Sequence, residues 1–228
     1  MIEILTADNF HEECESKLPP ESSTWFSFYS SILGKIVTDP ALFLVPIDDH
    51  LVHRGHGVFD TCNVIDGKAY GLDFHIDRFL KSAELAQITH SYTKAGLKAL
   101  ILSTIAASKK KNDVFVRYWM GSGRGNFDIS PSKCPTHGTL YICVHEYKRV
   151  PKEMEKGRKE FAVNVPLKPN LLATIKSNNY LLNALCALKS EEKGGALGIM
   201  INKEGKVFES SIANVGILDK NGTLCWPK

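Results

Sequence analysis

Two ionisable side chains in the last third of the chain have the types that covalent chemistry on an amine requires. Lys176 ends a short apolar run and precedes a segment rich in Leu, Ala and Asn. A lysine acts as a nucleophile when its amine is deprotonated, and burial near positive charge, such as a helix amino terminus, favours that form. Glu209 lies among apolar residues of a predicted strand, where a buried carboxylate suits a protonated heteroaromatic nitrogen. Taken singly, each also fits an ordinary solvated position.

Two arginines offer anion sites earlier in the chain. Arg78 falls early in a predicted helix, where a guanidinium beside backbone N–H groups can clamp a phosphate. Arg117 lies on a predicted strand and is a candidate anion binder. A surface salt bridge for Arg78 and a strand-face ion pair for Arg117 explain the two residues equally well.

The histidines and cysteines do not have the spacing of a metal or redox site. His50, His53 and His56 recur at intervals of three, but Gly55 and Gly57 interrupt any helix that would align them. The six cysteines are scattered and contain no C-x-x-C pair. We therefore expect no metal, and reduced, mostly buried thiols.

The first 148 residues predict an α/β domain. Asp66-Gly67 joins two apolar-rich runs and is typical of a type I′ hairpin turn. Asp73 is the predicted N-cap of one helix, and Thr93 is that of a second helix ending at three lysines, residues 109–111. The other predicted elements are a short helix at 8–18, a strand, glycine turn and strand within 23–40, and strands at 114–120 and 139–147.

The rest of the chain predicts a linker and a second domain. Residues 149–157 are charged and include a proline and a glycine, which is typical of a linker. The second domain, 158–228, begins with a strand in FAVNVPL and continues with a helix of roughly 177–193 that starts just after Lys176. Its end alternates short strands with Glu204-Gly205 and Asn221-Gly222 turns, as in a meander.

The composition of the chain excludes several classes of function. Apolar residues make up 43% and charged residues 23%, as in ordinary globular proteins. The 28 basic and 25 acidic side chains leave a net charge of +3 without a basic stripe, so we expect no nucleic-acid partner. No run reaches the about eighteen apolar residues of a membrane span, and no signal or transit peptide is apparent. These features predict a cytoplasmic protein.

Three stretches, in this order, resemble the fold-type IV pyridoxal-phosphate enzymes: DDHLVHRGHGVFDTCNVIDGKAYGLDFHIDRFLKSA, TIKSNNYLLNALCALKSEEKGG and EGKVFESSIANVGIL. That family includes branched-chain aminotransferases, D-amino-acid aminotransferases and aminodeoxychorismate lyases, and the first stretch is most similar to a plant D-amino-acid aminotransferase-like branch. The resemblance implies a two-domain α/β fold, with an N-terminal α/β sandwich and a C-terminal pseudo-barrel. Relatives continue for several tens of residues beyond the position of Lys228, so it also implies a truncated pseudo-barrel that lacks a phosphate-binding loop.

The resemblance implies pyridoxal 5′-phosphate as the cofactor. Lys176 would form the Schiff base, Glu209 would pair with the pyridine nitrogen, and Arg78 in HIDRF matches the phosphate-binding arginine. The other contacts that it implies are Tyr180, Ser211 and Asn214 with the cofactor, and Phe59 and Arg117 with the substrate.

Several of these positions carry a specific role or a departure from the family pattern. Tyr180 is a candidate contact of the cofactor's phenolic oxygen, although it also fits simple packing of the helix. Arg117 is the candidate ligand of the substrate carboxylate. Asp60 replaces a glutamate of many relatives, and Ser210 replaces a glycine.

The implied activity is transfer of an amino group between a D- or branched-chain amino acid and a 2-oxo acid, by a homodimer. Two alternatives stay open. An aminodeoxychorismate lyase releasing pyruvate would share the first chemical steps, and a truncated paralogue would have no catalysis at all.

Overall fold

The computed structural model describes residues 2–110, 113–134, 138–147 and 156–226. They group into two compact units, Met1–Lys148 with Thr174–Asn178, and Arg149–Ala173 with Asn179–Lys228. Most of the predicted linker, 149–157, lies outside the described residues. The segment that holds Lys176 was assigned to the second domain from the sequence, whereas in the structure it groups with the first unit.

A six-stranded sheet forms the centre of the first unit. Its strands are β1 (Trp25–Ser30), β2 (Lys35–Val37), β3 (Gly57–Ile65), β4 (Lys68–Ala69), β5 (Val114–Gly121) and β6 (Thr139–Glu146). The order is β2-β1-β6-β5-β3-β4, and every pairing is antiparallel. The helices are α1 (Phe10–Ser16), α2 (His50–His53), α3 (Leu72–Leu85) and α4 (Lys94–Ala107), with 3₁₀ turns at Pro20–Thr24, Pro40–Leu42 and Pro131–Lys133.

The core of this unit lies between the sheet and helices α3 and α4. On β3, alternate residues are buried, and Val58, Cys62 and Val64 pack with Phe79 and Ile101 from the helices. Because side chains of a strand alternate between its faces, the residues between them, including Phe59, point to the opposite, more open face. Every even-numbered position from 58 to 64 is therefore on the helix side.

The hairpin turn at Asp66-Gly67 and the helix cap at Thr93 form where the sequence predicts them. Asp66 and Gly67 both have positive φ, 49° and 72°, as a type I′ turn requires. The Thr93 hydroxyl accepts a hydrogen bond from Gly96 N–H and caps α4. The prediction for Asp73 was wrong, because Gly71 takes a left-handed conformation and α3 begins at Leu72.

The described residues of the second unit form two small sheets and two helices. Its elements are β7 (Ala162–Asn164), α5 (Asn170–Thr174), α6 (Leu181–Glu191), β8 (Ile199–Ile201), β9 (Val207–Ser210), β10 (Ile217–Leu218) and β11 (Leu224–Cys225). β7 pairs in parallel with β8, β8 pairs antiparallel with β9, and β10 pairs with β11 alone. Val163, Val165, Cys186 and Met200 form its core.

One glycine of the second unit is required by close packing. Gly198 has φ +73°, and a Cβ added there would lie 2.7 Å from the Cys186 carbonyl oxygen. This contact lets α6 approach the start of β8 closely.

Within the described ranges, no helix is both long and apolar enough to cross a membrane.

Candidate active site

Lys176 lies on an extended segment beside β3, not at the helix start that the sequence predicts. Its carbonyl accepts a hydrogen bond from Phe59 N–H (2.9 Å), and Asn178 N–H donates to the Gly57 carbonyl (3.0 Å). Since β3 uses the backbone groups of this segment, helix α6 begins only at Leu181. The predicted influence of a helix terminus on the amine is therefore not supported by this geometry.

A second anchor fixes the same segment to α3. The backbone N–H of Lys176 donates to the hydroxyl of Ser82, which is buried on α3 (3.2 Å). Ile175 and Ser177, on either side, are buried, whereas Lys176 is partly exposed. The backbone of Lys176 is thus held on two sides.

The Phe59 ring brings two predicted site cations together in the first unit. The Lys176 Nζ lies 4.6 Å from the ring centroid, and the Arg117 Cζ lies 5.9 Å from it. β5 places Arg117 opposite Thr61 of β3, and Arg117 Nε donates to the Thr61 hydroxyl (3.0 Å). Aromatic faces attract cations, so the ring favours both side chains at this position.

The neighbours of Arg117 on β6 are held uncharged near neutral pH. Burial, and after it the Arg117 charge, lower the pKa of His145 below its usual value. Burial raises the pKa of the Cys143 thiol to about 11, although Arg117 opposes the shift. Among the described residues, no carboxylate forms a salt bridge with Arg117, whose exposed guanidinium suits an anionic ligand.

Arg78 lies on the helix side of β3 and is engaged by a buried carboxylate. Its Nε and Nη2 donate to the two oxygens of Asp60 at 2.8 and 2.7 Å, and His75 Nδ1 lies 3.0 Å from the same carboxylate. Asp60 is fully buried, and its negative charge, second to burial itself, raises the pKa of the nearby Tyr118. Alternation along β3 thus places Asp60, the partner of Arg78, on the helix side, whereas Phe59 points to the other face.

In the second unit, Glu209 on β9 is paired with a lysine. Lys168 Nζ donates to Glu209 Oε1 (3.1 Å), and the same ammonium lies 5.2 Å from the centroid of the Tyr180 ring. Two residues that the resemblance assigns to the cofactor, Glu209 and Tyr180, thus contact one lysine. Tyr180 directly precedes the first turn of α6.

The two remaining predicted contacts follow β9. Ser211 is buried, its carbonyl accepts a hydrogen bond from the Asn183 side chain, and its hydroxyl has no partner among the described residues. Asn214 is exposed. A buried hydroxyl without a partner is costly, so Ser211 is suited to a ligand.

The partners of Arg78 and Glu209 in these ion pairs were not predicted from the sequence. Asp60 was noted only as a departure from the family pattern, and Lys168 was not noted at all. The two pairs join residues 18 and 41 positions apart. No periodicity or turn signal reports a contact of that kind, because it depends on tertiary packing.

The three histidines at 50, 53 and 56 do approach one another. The ring centroids of His50 and His53 are 4.9 Å apart, and those of His50 and His56 are 5.7 Å apart. Burial lowers the pKa of His50, whose Nε2 lies 3.1 Å from the Asp128 carbonyl. Across the described ranges, no group of three or more potential ligands is arranged to hold a metal ion.

An apolar cavity of about 260 Å³ opens on the same sheet face as Arg117. Trp119 lies two residues after Arg117 on β5 and opposite both Phe59 and Tyr141, so it joins the cavity to the Phe59 ring. The lining residues are Trp25, Phe28, Phe43, Val45, Leu51, Trp119, Tyr141 and Cys143.

Comparison with known proteins decides the family. The sequence profile of amino-transferase class IV matches residues 57–228, which include every predicted site residue. The chain belongs to the class IV aminotransferases. This result confirms the family resemblance found in the three sequence stretches.

Among the similar proteins are one curated relative and two solved structures. The D-amino-acid transaminase, chloroplastic, of Arabidopsis thaliana is 39% identical over 206 residues, covering 90% of this chain and 54% of the relative. A branched-chain aminotransferase from Thermoproteus uzoniensis, solved with norvaline, has a TM-score of 0.73 at 22% identity, covering 89% of this chain and 68% of that one. A hypothetical aminotransferase from Mycobacterium tuberculosis, in its PLP-bound form, has a TM-score of 0.70 at 22% identity, covering 89% and 71%.

These similarities confirm the fold class predicted from the sequence. The chain spans about half the length of the plant relative and about two thirds of the two solved chains. The matching part contains the elements that carry the predicted site residues.

Proposed function

We propose that this chain binds pyridoxal 5′-phosphate through Lys176 and moves an amino group between an amino acid and a 2-oxo acid. The observation that carries the proposal is the pair of cations at the Phe59 ring, Lys176 and Arg117. The carboxylate of an amino acid substrate can bind to the Arg117 guanidinium. The α-carbon is bonded to that carboxylate, so its proton would lie close to the Lys176 amine that must remove it. The class IV family supports the same activity.

The chemistry of the available side chains fits the cofactor. The primary amine of Lys176 suits its aldehyde, the Arg78 guanidinium suits its phosphate, and the Glu209 carboxylate suits its pyridine nitrogen. The buried hydroxyl of Ser211 lacks a partner among the described residues, and a ring substituent would satisfy it. The PLP-bound form of the M. tuberculosis neighbour is consistent with this cofactor.

Each residue then has a separate task. When bound, pyridoxal 5′-phosphate supplies an electron sink for negative charge on the substrate α-carbon. Once the substrate amine had replaced it on the aldehyde carbon of the cofactor, Lys176 would accept the α-proton as a free amine and deliver it to that same carbon. Arg117 would bind the substrate carboxylate while Phe59 packs beside both cations. Glu209 would accept a hydrogen bond from the pyridine nitrogen.

The remaining assignments complete the cofactor contacts. We assign Tyr180 to the phenolic oxygen, Ser211 and Asn214 to the ring, and Arg78 to the phosphate. Asp60 fixes the guanidinium of Arg78 through two hydrogen bonds, which restricts the directions in which it can bind an anion.

The substrates, assembly and location belong to the same proposal. The names of the similar proteins, a D-amino-acid transaminase and a branched-chain aminotransferase, support D- or branched-chain amino acids as donors. We propose a homodimer from the family resemblance. The composition predicts the cytoplasm, whereas the name of the plant relative indicates a chloroplast for that protein.

Product analysis with two amino donors tests the proposal. We expect the chain with pyridoxal 5′-phosphate to form a new oxo acid from D-alanine or L-leucine when a 2-oxo acid acceptor is present. Lys176→Ala should abolish this reaction, and Lys220→Ala, a matched change of an exposed lysine, should not. Release of 4-aminobenzoate from aminodeoxychorismate, without oxo acid from either donor, would contradict amino transfer and favour elimination.

A further inference from the structure

Lys168 is a largely buried lysine whose ammonium pairs with the Glu209 carboxylate. Its side chain is 11% exposed, whereas that of Glu209 is 41% exposed. Lysines are rarely buried unless they are paired, because removing an ammonium from water is costly. The cost is offset here by the Glu209 Oε1 at 3.1 Å and the Tyr180 ring at 5.2 Å. The lysine side chain is therefore the more buried member of the pair, and the glutamate side chain is the more accessible one.

We infer that Lys168 is a positioning residue, which holds the Glu209 carboxylate in the orientation that receives the pyridine nitrogen of the cofactor. This inference rests on the proposed function, since it assumes that Glu209 is the pyridine partner. No resemblance assigns a role to Lys168, and its pairing with Glu209 comes from the structure alone.

The geometry of the pair leaves the carboxylate able to serve a second donor. A carboxylate has two oxygens and about four acceptor positions, and Lys168 occupies one position on Oε1. The Glu209 side chain is 41% exposed, so a ligand has access to the carboxylate. A single N–H donor, such as a protonated pyridine, fits there without displacing the ammonium.

Holding the carboxylate before the ligand arrives lowers the entropic cost of binding. A glutamate on a short strand edge has three rotatable bonds, and a ligand that needs one rotamer must otherwise immobilise it. Lys168 immobilises Glu209 in advance and is itself fixed by the Tyr180 ring. Removal of Lys168 should therefore weaken cofactor binding through Glu209, and only through Glu209.

A double-mutant cycle on cofactor affinity tests this coupling. Titration of the cofactor-free protein with pyridoxal 5′-phosphate, followed by absorbance, gives the Kd of the wild type, Lys168→Met, Glu209→Gln and the double variant. We expect a roughly tenfold weaker Kd for Lys168→Met. In the Glu209→Gln background, the same change should have almost no further effect. Lys168→Arg, which keeps the donor, should restore most of the affinity.

The control and the contradicting outcomes separate positioning from simple stabilisation. Lys203→Met removes an equal charge at an exposed turn of the same unit and should leave the Kd unchanged. If Lys168→Met does not fold, Lys168→Gln takes its place in the cycle. An unchanged or tighter Kd, or losses that add in the double variant, would overturn the role of Lys168.

Failure of the inference is distinguishable from failure of the proposed function. A wild-type protein that binds the cofactor through Lys176, with Lys168→Met equally tight, contradicts the role of Lys168 alone. A wild-type protein that does not bind the cofactor at Lys176 contradicts both.

Discussion

Arg78 and Asp60 form an ion pair whose members differ in their access to water. The Asp60 side chain is 0% exposed and that of Arg78 is 41% exposed. Removing one partner of a buried pair leaves the other charge without compensation, and the cost depends on whether water can reach it. Water already reaches Arg78 in the pair, whereas Asp60 has no exposed surface.

Substitution of the two partners should therefore destabilise the first unit unequally. We expect Arg78→Met to lower the free energy of unfolding by about 3 kcal/mol, because it leaves a buried carboxylate. Asp60→Asn should cost about 1–2 kcal/mol, because Arg78 gains water. Urea unfolding measures both values.

Arg117→Met is the matched control for this comparison, since Arg117 is exposed and forms no described salt bridge with a carboxylate. It should change the free energy of unfolding by less than about 0.5 kcal/mol. Equal losses for Arg78→Met and Asp60→Asn would show that water access does not govern this pair.

At the scale of elements, the Lys176 segment depends on two neighbours that are distant in the sequence. β3 supplies hydrogen-bond partners for residues 176 and 178, and the Ser82 hydroxyl on α3 accepts the Lys176 N–H. Only the second of these anchors uses a side chain. Ser82 is therefore the point at which mutation can release the segment without disturbing the sheet.

Ser82→Ala should loosen the segment and lower stability slightly. The change leaves the Lys176 N–H without its acceptor, at a cost of about 1 kcal/mol in the free energy of unfolding. Hydrogen exchange at the Lys176 amide should become faster, while β5 amides keep their protection. Ser103→Ala, on an exposed position of α4, is the control. Unchanged exchange at Lys176 in the Ser82 variant would contradict this anchoring.

Local signals explain which elements could be predicted from the sequence. The Asp66-Gly67 turn and the Thr93 cap depend on residues next to one another, and both predictions are confirmed. The predicted start of a helix near residue 177 was displaced to Leu181, because pairing with β3 outcompetes helix formation at residues 176–178. Helix propensity is a local property of the sequence, so it does not indicate a hydrogen-bond partner more than one hundred residues away.

At the scale of the whole molecule, chain order and structural grouping differ. Residues Thr174–Asn178 are flanked on both sides in the sequence by residues of the second unit, but they group with the first unit in the structure. The family and its fold could be predicted because three motifs occur in a fixed order. The contacts of Lys168 and Asp60 could not be predicted, since each joins residues from separate elements.

Reductive trapping of the cofactor tests the central claim at this scale. After incubation with pyridoxal 5′-phosphate, borohydride converts an imine to a stable amine, and peptide mass mapping then locates the modified lysine. We predict stoichiometric labelling of the peptide that contains Lys176, and loss of that label in Lys176→Ala. Labelling spread over exposed lysines such as Lys203 and Lys220, with Lys176 unmodified, would contradict the account.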